Sequence, residues 1–595
     1  MELRCLEYPF DWAYLNRKKK FIKRKIEENT SNFVEKKIAI LGGSTTFELK
    51  LMLELFLLKE GIKPIFYESE YNKYYEEAMF SEELINFNPD IVYIHTTIKN
   101  IIQFPLMSNS PDEVKYLLEQ EKNKLENIWK TLSKKISCII IQNNFEFPQY
   151  RFTGNSAATL YNGNVYFISE LNNFLIKSVG KYKNIYINDI QYLSSDLGLS
   201  RWYDNFLWDS YKYAMSFEGI VYLAHSVSNI IKAIYGKNKK ALVLDLDNTL
   251  WGGIIGDDGI TGIKIGKETA IGEAYSVFQQ YLKSLKEAGI ILAIASKNNL
   301  ENVELAFKHP SMILKKEDFS SIKANWNPKS QNIIQSAKEI NIGIDTFVFL
   351  DDNPAERELV KIDLKEVAVP DIGNEVQNYI NHIDKNGYFE LLSISEEDLK
   401  RSSYYLDNIK RETELSLHHN YEEYLKSLEM IGDIQEAKNI YLERIYQLVN
   451  KTNQFNLTTK RYTSEEITEI SKDVDKILLY GRLKDKFGDN GLVSIIIANK
   501  SNQNLDIELW IMSCRVLKRD FEKAMLDILV EKAKEKKLKN IIGHYIPTTK
   551  NKMVEDHYQL MGFSKIGEHK LETTWCLPVE KYINQNINIE LKEYE

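Results

Sequence analysis

Short apolar runs alternate with longer amphipathic stretches in two separate parts of the chain. The first part contains strand patterns at Ile38–Leu41, Ile65–Tyr67, Ile91–Ile94 and Cys138–Ile141, with helical patterns at Phe47–Glu60, Val114–Lys135 and Tyr203–Tyr235. The second contains strand patterns at Ala241–Leu246, Ile290–Ala295 and Thr346–Leu350, with helical patterns at Ala270–Ala288, Leu300–Phe307 and Ser330–Ile340. This alternation is typical of parallel strands joined by crossover helices. It therefore predicts two independent α/β units.

The remaining sequence predicts a connector and a third unit. Residues 393–424 are charged and helical in pattern, whereas the later sequence alternates again, with strands at Leu505–Ile511 and near Ile541 and helices at 521–536 and 554–561. The tail after Val579 is expected to be loosely ordered. We place the predicted boundaries at 1–236 and 237–385 for the two α/β units, 386–430 for the helical connector and 431–595 for the third unit.

Composition supports a folded chain of several domains. The 595 residues include 44% hydrophobic and 27% charged residues, and this length exceeds what one ordinary core holds. The net charge of −8 argues against nucleic-acid binding, because the one basic run, residues 17–25, is followed by glutamates and is typical of a solvated helix face. Four scattered cysteines, no signal-peptide core and no membrane span predict a cytoplasmic protein without a membrane partner.

Two predicted strands end in pairs of carboxylates. Asp245 and Asp247 follow the strand at 241–246, and Asp351 and Asp352 follow the strand at 346–350. The carboxyl ends of parallel strands lie at one edge of a sheet, where ligands bind. Like charges held close together repel each other unless a cation lies between them, and oxygen ligands suit Mg²⁺. A single such pair is equally compatible with a turn or a helix cap.

Asp245-x-Asp247-x-Thr249, Ser296, Lys329 and the pair Asp351-Asp352 occur in the order of the four motifs of the haloacid dehalogenase superfamily, which this part of the chain resembles. The resemblance implies that Asp245 attacks phosphorus and that Asp247 protonates the leaving oxygen and later deprotonates water. Ser296 would bind phosphoryl oxygens and Lys329 would offset negative charge. Mg²⁺ would be held by Asp245, the backbone carbonyl of Asp247 and Asp351, with Asp352 as a ligand or a support.

Longer stretches resemble one family within that superfamily, the FkbH-like proteins. The stretches in the central unit are Asp247–Gly253, Ile294–Asn298 and Phe349–Arg357, and those in the third unit are Asn450–Thr459, Asp489–Gly491, Met512–Leu517 and Tyr558–Phe563. The third unit is similar to that family's acetyltransferase (GNAT) type domain, and Gly42-Gly-Ser44 after the first strand is similar to an SGNH-hydrolase-like domain. The implied fold is a multidomain α/β protein: an SGNH-like doubly wound α/β domain, a HAD-like Rossmannoid α/β domain and a GNAT-like α+β domain.

The resemblance also implies a function. Such proteins load a glyceryl group from 1,3-bisphosphoglycerate onto the phosphopantetheine thiol of an acyl carrier protein in polyketide-type metabolism, with loss of phosphate. We therefore expect an acyl carrier protein and a small phosphorylated three-carbon substrate as partners. Two alternatives are a stand-alone phosphatase acting on a small metabolite and a carrier-protein scaffold without activity. The complete motif set argues against the scaffold.

Cys514 is the candidate thiol for acyl transfer, because Arg515 beside it would favour the thiolate and could contact a cofactor. The alternative is a small buried side chain that only packs. The stretch from Arg515 to Asp520 lacks both glycines of the turn that grips the pyrophosphate of coenzyme A, so acetyl-CoA binding is not expected. Lys518 and Arg519 would instead contact a carrier protein or form a solvated pair, and Asp520 could cap the next helix.

The first unit departs from the SGNH pattern. Ser44 lies at the nucleophile position, but Gly43 replaces the usual aspartate and no downstream Asp-x-x-His follows. We therefore expect a docking or scaffold unit without hydrolase activity, in which Ser44 caps the helix that begins near Phe47. His95 and the pair Asn143-Asn144 follow strands at the ligand edge, where they either line a pocket or serve the fold.

Overall fold

The computed structural model describes residues 3–30, 33–182, 184–392, 420–548, 550–569 and 572–593, together with residues 407, 411, 414, 415, 417 and 418. The chain divides into two compact units, residues 1–234 with 463–466 and residues 235–462 with 467–595. Within the connector predicted at 386–430, residues 393–406, 408–410, 412, 413, 416 and 419 lie outside the described residues. The boundaries predicted at 385 and 430 fall inside the second unit and remain predictions.

The first unit is built on a five-stranded parallel sheet with the order β2-β1-β3-β4-β5. Its strands are β1 (Val34–Gly42), β2 (Ile62–Glu68), β3 (Ile91–His95), β4 (Ile139–Asn143) and β5 (Ile185–Asn188). Its helices are α1 (Trp12–Asn29), α2 (Phe47–Lys59), α3 (Tyr74–Phe80), α4 (Glu82–Phe87), α5 (Pro111–Lys135), α6 (Asn164–Val179), α7 (Ile190–Leu197), α8 (Leu199–Trp202), α9 (Asn205–Tyr211) and α10 (Phe217–Ile234). The chain runs from β1 to β2 on one side and then returns to β3 on the other. This reversal opens a crevice at the carboxyl ends of β1 and β3.

The helical stretch predicted at 203–235 is divided in two. Asp204 accepts a hydrogen bond from the Leu207 amide (3.0 Å) and so begins α9. Lys212, with φ of 59°, adopts the left-handed conformation that ends a helix, and α10 begins five residues later at Phe217. The division therefore follows from a cap and a left-handed terminus, which the hydrophobic pattern does not distinguish from a continuous helix.

The second unit begins with a four-stranded parallel sheet of order β8-β7-β6-β9. Its strands are β6 (Ala241–Leu244), β7 (Ile291–Ser296), β8 (Phe319–Ala324) and β9 (Phe347–Leu350). Its helices are α11 (Ile255–Gly262), α12 (Ala270–Glu287), α13 (Leu300–Ala306), α14 (Lys329–Ile340), α15 (Pro354–Asp363) and α16 (Val376–Asp384). The adjacent strands β6 and β9 are fully buried, and they carry the candidate residues at their carboxyl ends.

The C-terminal part of this unit is a mixed sheet with the main order β16-β17-β15-β14-β13-β12-β10-β18. Its strands are β10 (Met430–Glu436), β11 (Phe455–Asn456), β12 (Lys476–Asp485), β13 (Gly488–Ser501), β14 (Asn504–Met512), β15 (Asn540–Tyr545), β16 (Ser564–His569), β17 (Glu572–Pro578) and β18 (Ile589–Leu591). Its helices are α17 (Tyr421–Ser427), α18 (Leu442–Lys451), α19 (Ser464–Ile470), α20 (Phe521–Glu535) and α21 (His557–Leu560). Together with the two parallel sheets, this sheet confirms the predicted multidomain α/β class.

The C-terminal tail packs on this sheet, so the prediction of a loosely ordered tail is wrong for residues 580–593. β18 pairs with β10 in parallel. Asp527 on α20 accepts hydrogen bonds from the Tyr582 hydroxyl (2.6 Å) and from the amides of Gln585 and Asn586 (both 2.9 Å). A buried carboxylate with several donors fixes the returning chain, although the tail itself has little apolar pattern.

None of the described helices combines the length and the apolar character that crossing a membrane requires.

Candidate active site

The strands β6 and β9 bring two acidic motifs together. They pair in parallel, with Leu244 opposite Leu350, and the amide of Asp245 donates to the carbonyl of Leu350 (2.9 Å). Asp245 and Asp351 therefore leave neighbouring strands at the same edge of the sheet. Lys329, the first residue of α14, lies at that edge as well. The sequence prediction that these motifs converge is consistent with this geometry.

Three carboxylates form a cluster there. Oxygen atoms of Asp245, Asp351 and Asp352 all lie within 4.8 Å of one another, and the first two residues are buried. Burial, followed by the negative charge of Asp245, raises the pKa of Asp351. Lys329 lies between them, with Nζ 2.9 Å from Oδ2 of Asp245 and 2.5 Å from Oδ2 of Asp351. One ammonium group thus contacts two buried carboxylates of the cluster.

The cluster fits a divalent cation. Oδ1 of Asp245 is buried and has no hydrogen-bond partner among the described residues, although such atoms are normally satisfied. The available donors are carboxylate oxygens, which Mg²⁺ prefers. The Arg357 guanidinium donates to the carbonyls of Asp351 and Asp352 (both 2.8 Å), and the Thr249 hydroxyl lies 3.3 Å from Oδ1 of Asp352. These contacts hold the acidic loop in place around a site for an ion.

Asp247 lies outside this cluster and is held by other partners. Its Oδ1 accepts from the Trp251 indole and the Ile255 amide (both 3.0 Å), and its Oδ2 accepts from the Asn298 side chain (2.9 Å). Burial raises the pKa of Asp247, which favours a carboxyl able to donate a proton. Trp251 and Asn298 were not predicted to be site residues, although both belong to the stretches that carry the family resemblance.

Ser296 ends β7, the other neighbour of β6, and is buried at the same edge. Its carbonyl accepts from the amide of Asn325 (3.1 Å), which ties the end of β7 to the loop that leads to Lys329. The structure therefore places Ser296 on the edge that carries the carboxylates. Its contact with phosphoryl oxygens, like the ligand role of the Asp247 carbonyl, stays a prediction.

The Lys329 ammonium should be essential to the stability of the metal-free site. Lys329→Met leaves the buried carboxylates of Asp245 and Asp351 without a cation, so we expect the free energy of unfolding to fall by about 3–5 kcal/mol. Urea denaturation in the presence of a chelator measures this loss. Lys338→Met changes an exposed lysine on the same helix and should cost under about 0.5 kcal/mol. Equal losses of the free energy of unfolding in Lys329→Met and Lys338→Met would contradict the role of Lys329 in balancing the buried carboxylates.

Cys514 lies away from the carboxylates. It begins a short 3-10 turn after β14, it is half-buried, and it packs against the apolar cluster beneath the parallel sheet. Its carbonyl accepts from the side chain of Asn341, which follows α14 (2.9 Å). Because Lys329 begins α14, about 17 Å of helix at ~1.5 Å per residue separates the two places. The Arg515 Nε atom donates to the Ser513 hydroxyl (3.1 Å). The roles proposed for Cys514 and Arg515 stay predictions.

Two expectations for the following turn are wrong. Arg519 is buried rather than solvated, and it contacts Asp485 at 2.9 Å and the carbonyl of Arg515 at 2.6 Å. Asp520 precedes α20 without a capping hydrogen bond and lies 3.0 Å from Lys523 instead. Its backbone is left-handed, with φ of 60°, whereas a capping residue typically has an extended backbone. Lys518 is exposed.

Two similarities to known proteins indicate the family to which this chain belongs. The model of the FkbH N-terminal domain matches residues 37–232. The crystal structure of the N-terminal part of protein BF1531 from Bacteroides fragilis, which contains a phosphatase domain complexed with Mg, is 30% identical and has a TM-score of 0.58; the match covers 63% of this chain and 99% of that one. No curated protein matches the chain.

Acetyltransferase structures match the C-terminal region weakly. The ribosomal-protein-S18-alanine N-acetyltransferase from Escherichia coli is 10% identical, over 26% of this chain and 99% of that chain, with a TM-score of 0.21. Ard1 from Thermoplasma volcanium is 15% identical, over 25% of this chain and 97% of that chain, with a TM-score of 0.20. Similarities this low carry no argument about activity.

Proposed function

Because this chain belongs to the FkbH-like family, we propose that it is a Mg²⁺-dependent phosphatase of the HAD type that also loads a glyceryl or similar acyl group from 1,3-bisphosphoglycerate onto an acyl carrier protein. A role in polyketide-type metabolism is part of this proposal. The observation that carries the phosphatase half is the cluster of Asp245, Asp351 and Asp352, in which Lys329 lies between the two buried carboxylates, Asp245 and Asp351. The Mg-bound phosphatase domain of BF1531 supports it further.

Asp245 is the proposed nucleophile. Lys329 binds its Oδ2, which fixes the orientation of the carboxylate and leaves Oδ1 without a hydrogen-bond partner in the part of the chain that the structure describes. Asp245, Asp351 and Asp352 would hold Mg²⁺, which when bound offsets the charge of the carboxylates and polarises a phosphoryl oxygen. Lys329 and the Ser296 hydroxyl would stabilise the transferring phosphoryl group.

Asp247 is the proposed general acid and base. Its raised pKa keeps a proton available for the leaving oxygen, and the same carboxylate can take a proton from water afterwards. Hydrogen bonds from Trp251, Ile255 and Asn298 hold the carboxyl group of Asp247 apart from the carboxylate cluster. The two aspartates, two residues apart, thus have different surroundings and can perform different tasks.

The acyl half of the proposal follows from the chemistry of the substrate. The acyl phosphate of 1,3-bisphosphoglycerate is already activated toward a thiol, whereas its phosphate ester requires the aspartate site. The C-terminal domain is the proposed site of acyl transfer, and Cys514 is the thiol that receives the acyl group. The turn from Arg515 to Asp520 lacks the glycines that grip coenzyme A, which supports a carrier-bound thiol rather than free coenzyme A as the partner.

Intact-mass spectrometry tests this function. The protein is incubated with Mg²⁺, 1,3-bisphosphoglycerate and candidate carrier proteins bearing phosphopantetheine, and we expect a glyceryl adduct on the carrier together with released phosphate. The same carriers without phosphopantetheine offer no thiol and should gain no mass. Phosphate release without an adduct on either partner would favour the stand-alone phosphatase and reject acyl loading.

Mg²⁺ should stabilise the folded chain through this cluster. At a free concentration of 100 times the dissociation constant we expect the free energy of unfolding to rise by about 2.7 kcal/mol, because the ion binds the folded state alone. Asp351→Asn removes a fully buried ligand and should abolish most of this gain, whereas Glu366→Gln, an exposed change, should retain it. Thermal unfolding with and without Mg²⁺ measures both. An unchanged gain in Asp351→Asn would place the ion elsewhere.

A further inference from the structure

The first unit contains a buried serine–histidine pair. The Oγ atom of Ser44 lies 3.0 Å from Nε2 of His95, and the two residues are 1% and 2% exposed. Ser44 does not cap α2, since that helix begins after Thr46 without a side-chain cap. The sequence expectation of a helix cap at Ser44 is therefore wrong, and the hydroxyl is directed to an imidazole instead.

The pair lies where a parallel sheet of this order binds ligands. Ser44 follows β1 and His95 ends β3, and the two strands are neighbours, with Gly42 opposite His95. Because β2 and β3 lie on opposite sides of β1, the carboxyl ends of β1 and β3 border the crevice of the sheet. The position alone would suit many ligands. A hydroxyl group and a base at this position restrict the candidate reactions to those that use a nucleophile and a general base.

A third group orients the imidazole. The Tyr93 hydroxyl donates to Oδ1 of Asn143 (3.1 Å) and lies 3.2 Å from Nδ1 of His95. Its oxygen can therefore accept a hydrogen bond from Nδ1–H, and in that tautomer Nε2 is the acceptor that faces Ser44. The Asn143 amide nitrogen also lies 3.2 Å from Nδ1 and donates to the Thr96 carbonyl (3.2 Å). Burial lowers the pKa of His95 to about 4, so the ring is neutral at physiological pH.

We propose that Ser44 and His95 are a nucleophile and its general base, and that the first unit thereby cleaves activated acyl esters or thioesters. Nucleophile, base and orienting group occur within hydrogen-bond reach, as this chemistry requires. The absence of the downstream Asp-x-x-His motif led us to expect no hydrolase activity. The structure supplies a histidine from β3 instead, so the missing motif does not leave Ser44 without a base.

The reaction balances without a further reactant except water. Oγ of Ser44 bonds to the acyl carbon while its proton passes to Nε2 of His95, and the bond from that carbon to the leaving oxygen or sulfur breaks. The leaving group takes the proton from His95. Water then attacks the serine ester, gives a proton to His95 and releases the carboxylic acid, and Ser44 regains the proton.

The contacts around Ser44 indicate that the substrate is anionic and that it must displace the Asn100 side chain to reach the serine. The Asn100 side chain donates to the Gly43 carbonyl (2.6 Å), and the amide of Thr45 donates to the Lys212 carbonyl (3.0 Å). The ammonium groups of Lys99 and Lys212 lie over the Trp208 ring at 4.8 and 5.3 Å. These two lysines attract a negatively charged substrate. A smaller residue in place of Asn100 should open the approach to Ser44.

A fluorophosphonate probe tests the pair in the full-length protein. The Ser44 oxygen bonds to phosphorus, fluoride leaves, and the adduct is counted by intact mass and located by peptide mapping. We expect one adduct on Ser44, none in Ser44→Ala, and faster labelling in Asn100→Ala. Ser69→Ala is the matched control, because Ser69 is another buried serine at this edge, and its Oγ accepts a hydrogen bond from the Gly42 amide (2.8 Å). It should label like the wild type.

The base is tested separately from the fold. His95→Gln should slow labelling by about a hundredfold or more, and Tyr93→Phe, a milder change that keeps the ring, should slow it by about tenfold. Asp245→Asn should leave labelling unchanged, which separates this site from the phosphatase. Absence of an adduct on Ser44 in both the wild type and Asn100→Ala, or equal rates in the wild type, His95→Gln and Tyr93→Phe, would overturn the proposal.

Discussion

Asp245→Asn is expected to lower phosphate release from phosphate esters by at least about a thousandfold, because an amide cannot form the phosphorylated intermediate. The substitution nearly preserves the size of the side chain, so the loss should be chemical rather than structural. It also removes one of the charges that Lys329 balances at 2.9 and 2.5 Å, and this relieves repulsion among the buried carboxylates. The folded protein should therefore remain at least as stable. Steady-state phosphate release and urea denaturation measure the two effects.

The control for this experiment is Asp363→Asn. Asp363 is an exposed carboxylate of the same domain that accepts from the Ser330 hydroxyl (2.7 Å) outside the cluster. Its replacement should change phosphate release by less than about twofold, because surface substitutions of this kind have small effects. Phosphate release that survives Asp245→Asn within tenfold of the wild type would exclude Asp245 as the nucleophile.

The carboxylate cluster could be predicted because its members are local features of the sequence. Asp245 and Asp351 each follow a short, wholly apolar run, and parallel strands bring such ends to one edge. The partners of Asp247 could not be predicted in the same way. Whether Asn298 reaches Asp247 depends on the direction of a loop after β7, and neither the strand pattern nor the spacing determines that direction.

The first unit shows a second limit of the sequence. A histidine at a strand end is compatible with many roles, and only the strand order shows that β3 is the neighbour of β1. That order brings His95 to Ser44, fifty-one positions earlier in the chain. The edge strand β8 was missed for a simpler reason. Its sequence, Phe319–Ala324, contains two serines and a lysine and lacks the continuous apolar run of a central strand.

The prediction that Arg519 is exposed was based on the charge pattern alone, and it is also wrong. Adjacent basic residues usually lie on the surface, but Arg519 is buried against Asp485, which also binds Arg411 at 2.8 Å. A buried carboxylate between two guanidinium groups is satisfied only by residues far apart in the sequence. The composition of the turn therefore did not reveal that Arg519 stabilises the C-terminal domain instead of presenting charge to a partner.

Cys514→Ala is expected to abolish carrier loading while phosphate release from simple esters stays within about twofold of the wild type. The reason is the separation of the two sites, since Cys514 lies at the end of α14 opposite to Lys329. Loading needs a thiol to receive the acyl group from the acyl phosphate, and alanine provides none. Intact mass of the carrier and phosphate release, measured in the same reaction, show the split directly.

The competing explanation is that Cys514 only packs. Its side chain contacts the apolar cluster beneath the parallel sheet, so alanine there would cost about 1 kcal/mol of stability and leave loading unchanged. Cys576→Ala is the matched control, because Cys576 is also half-buried but lies on β17. We expect Cys576→Ala to load the carrier at the wild-type rate. Equal loading by the wild type, Cys514→Ala and Cys576→Ala would show that the acyl group passes to the carrier without a cysteine intermediate, and the C-terminal domain would then serve to position the carrier thiol.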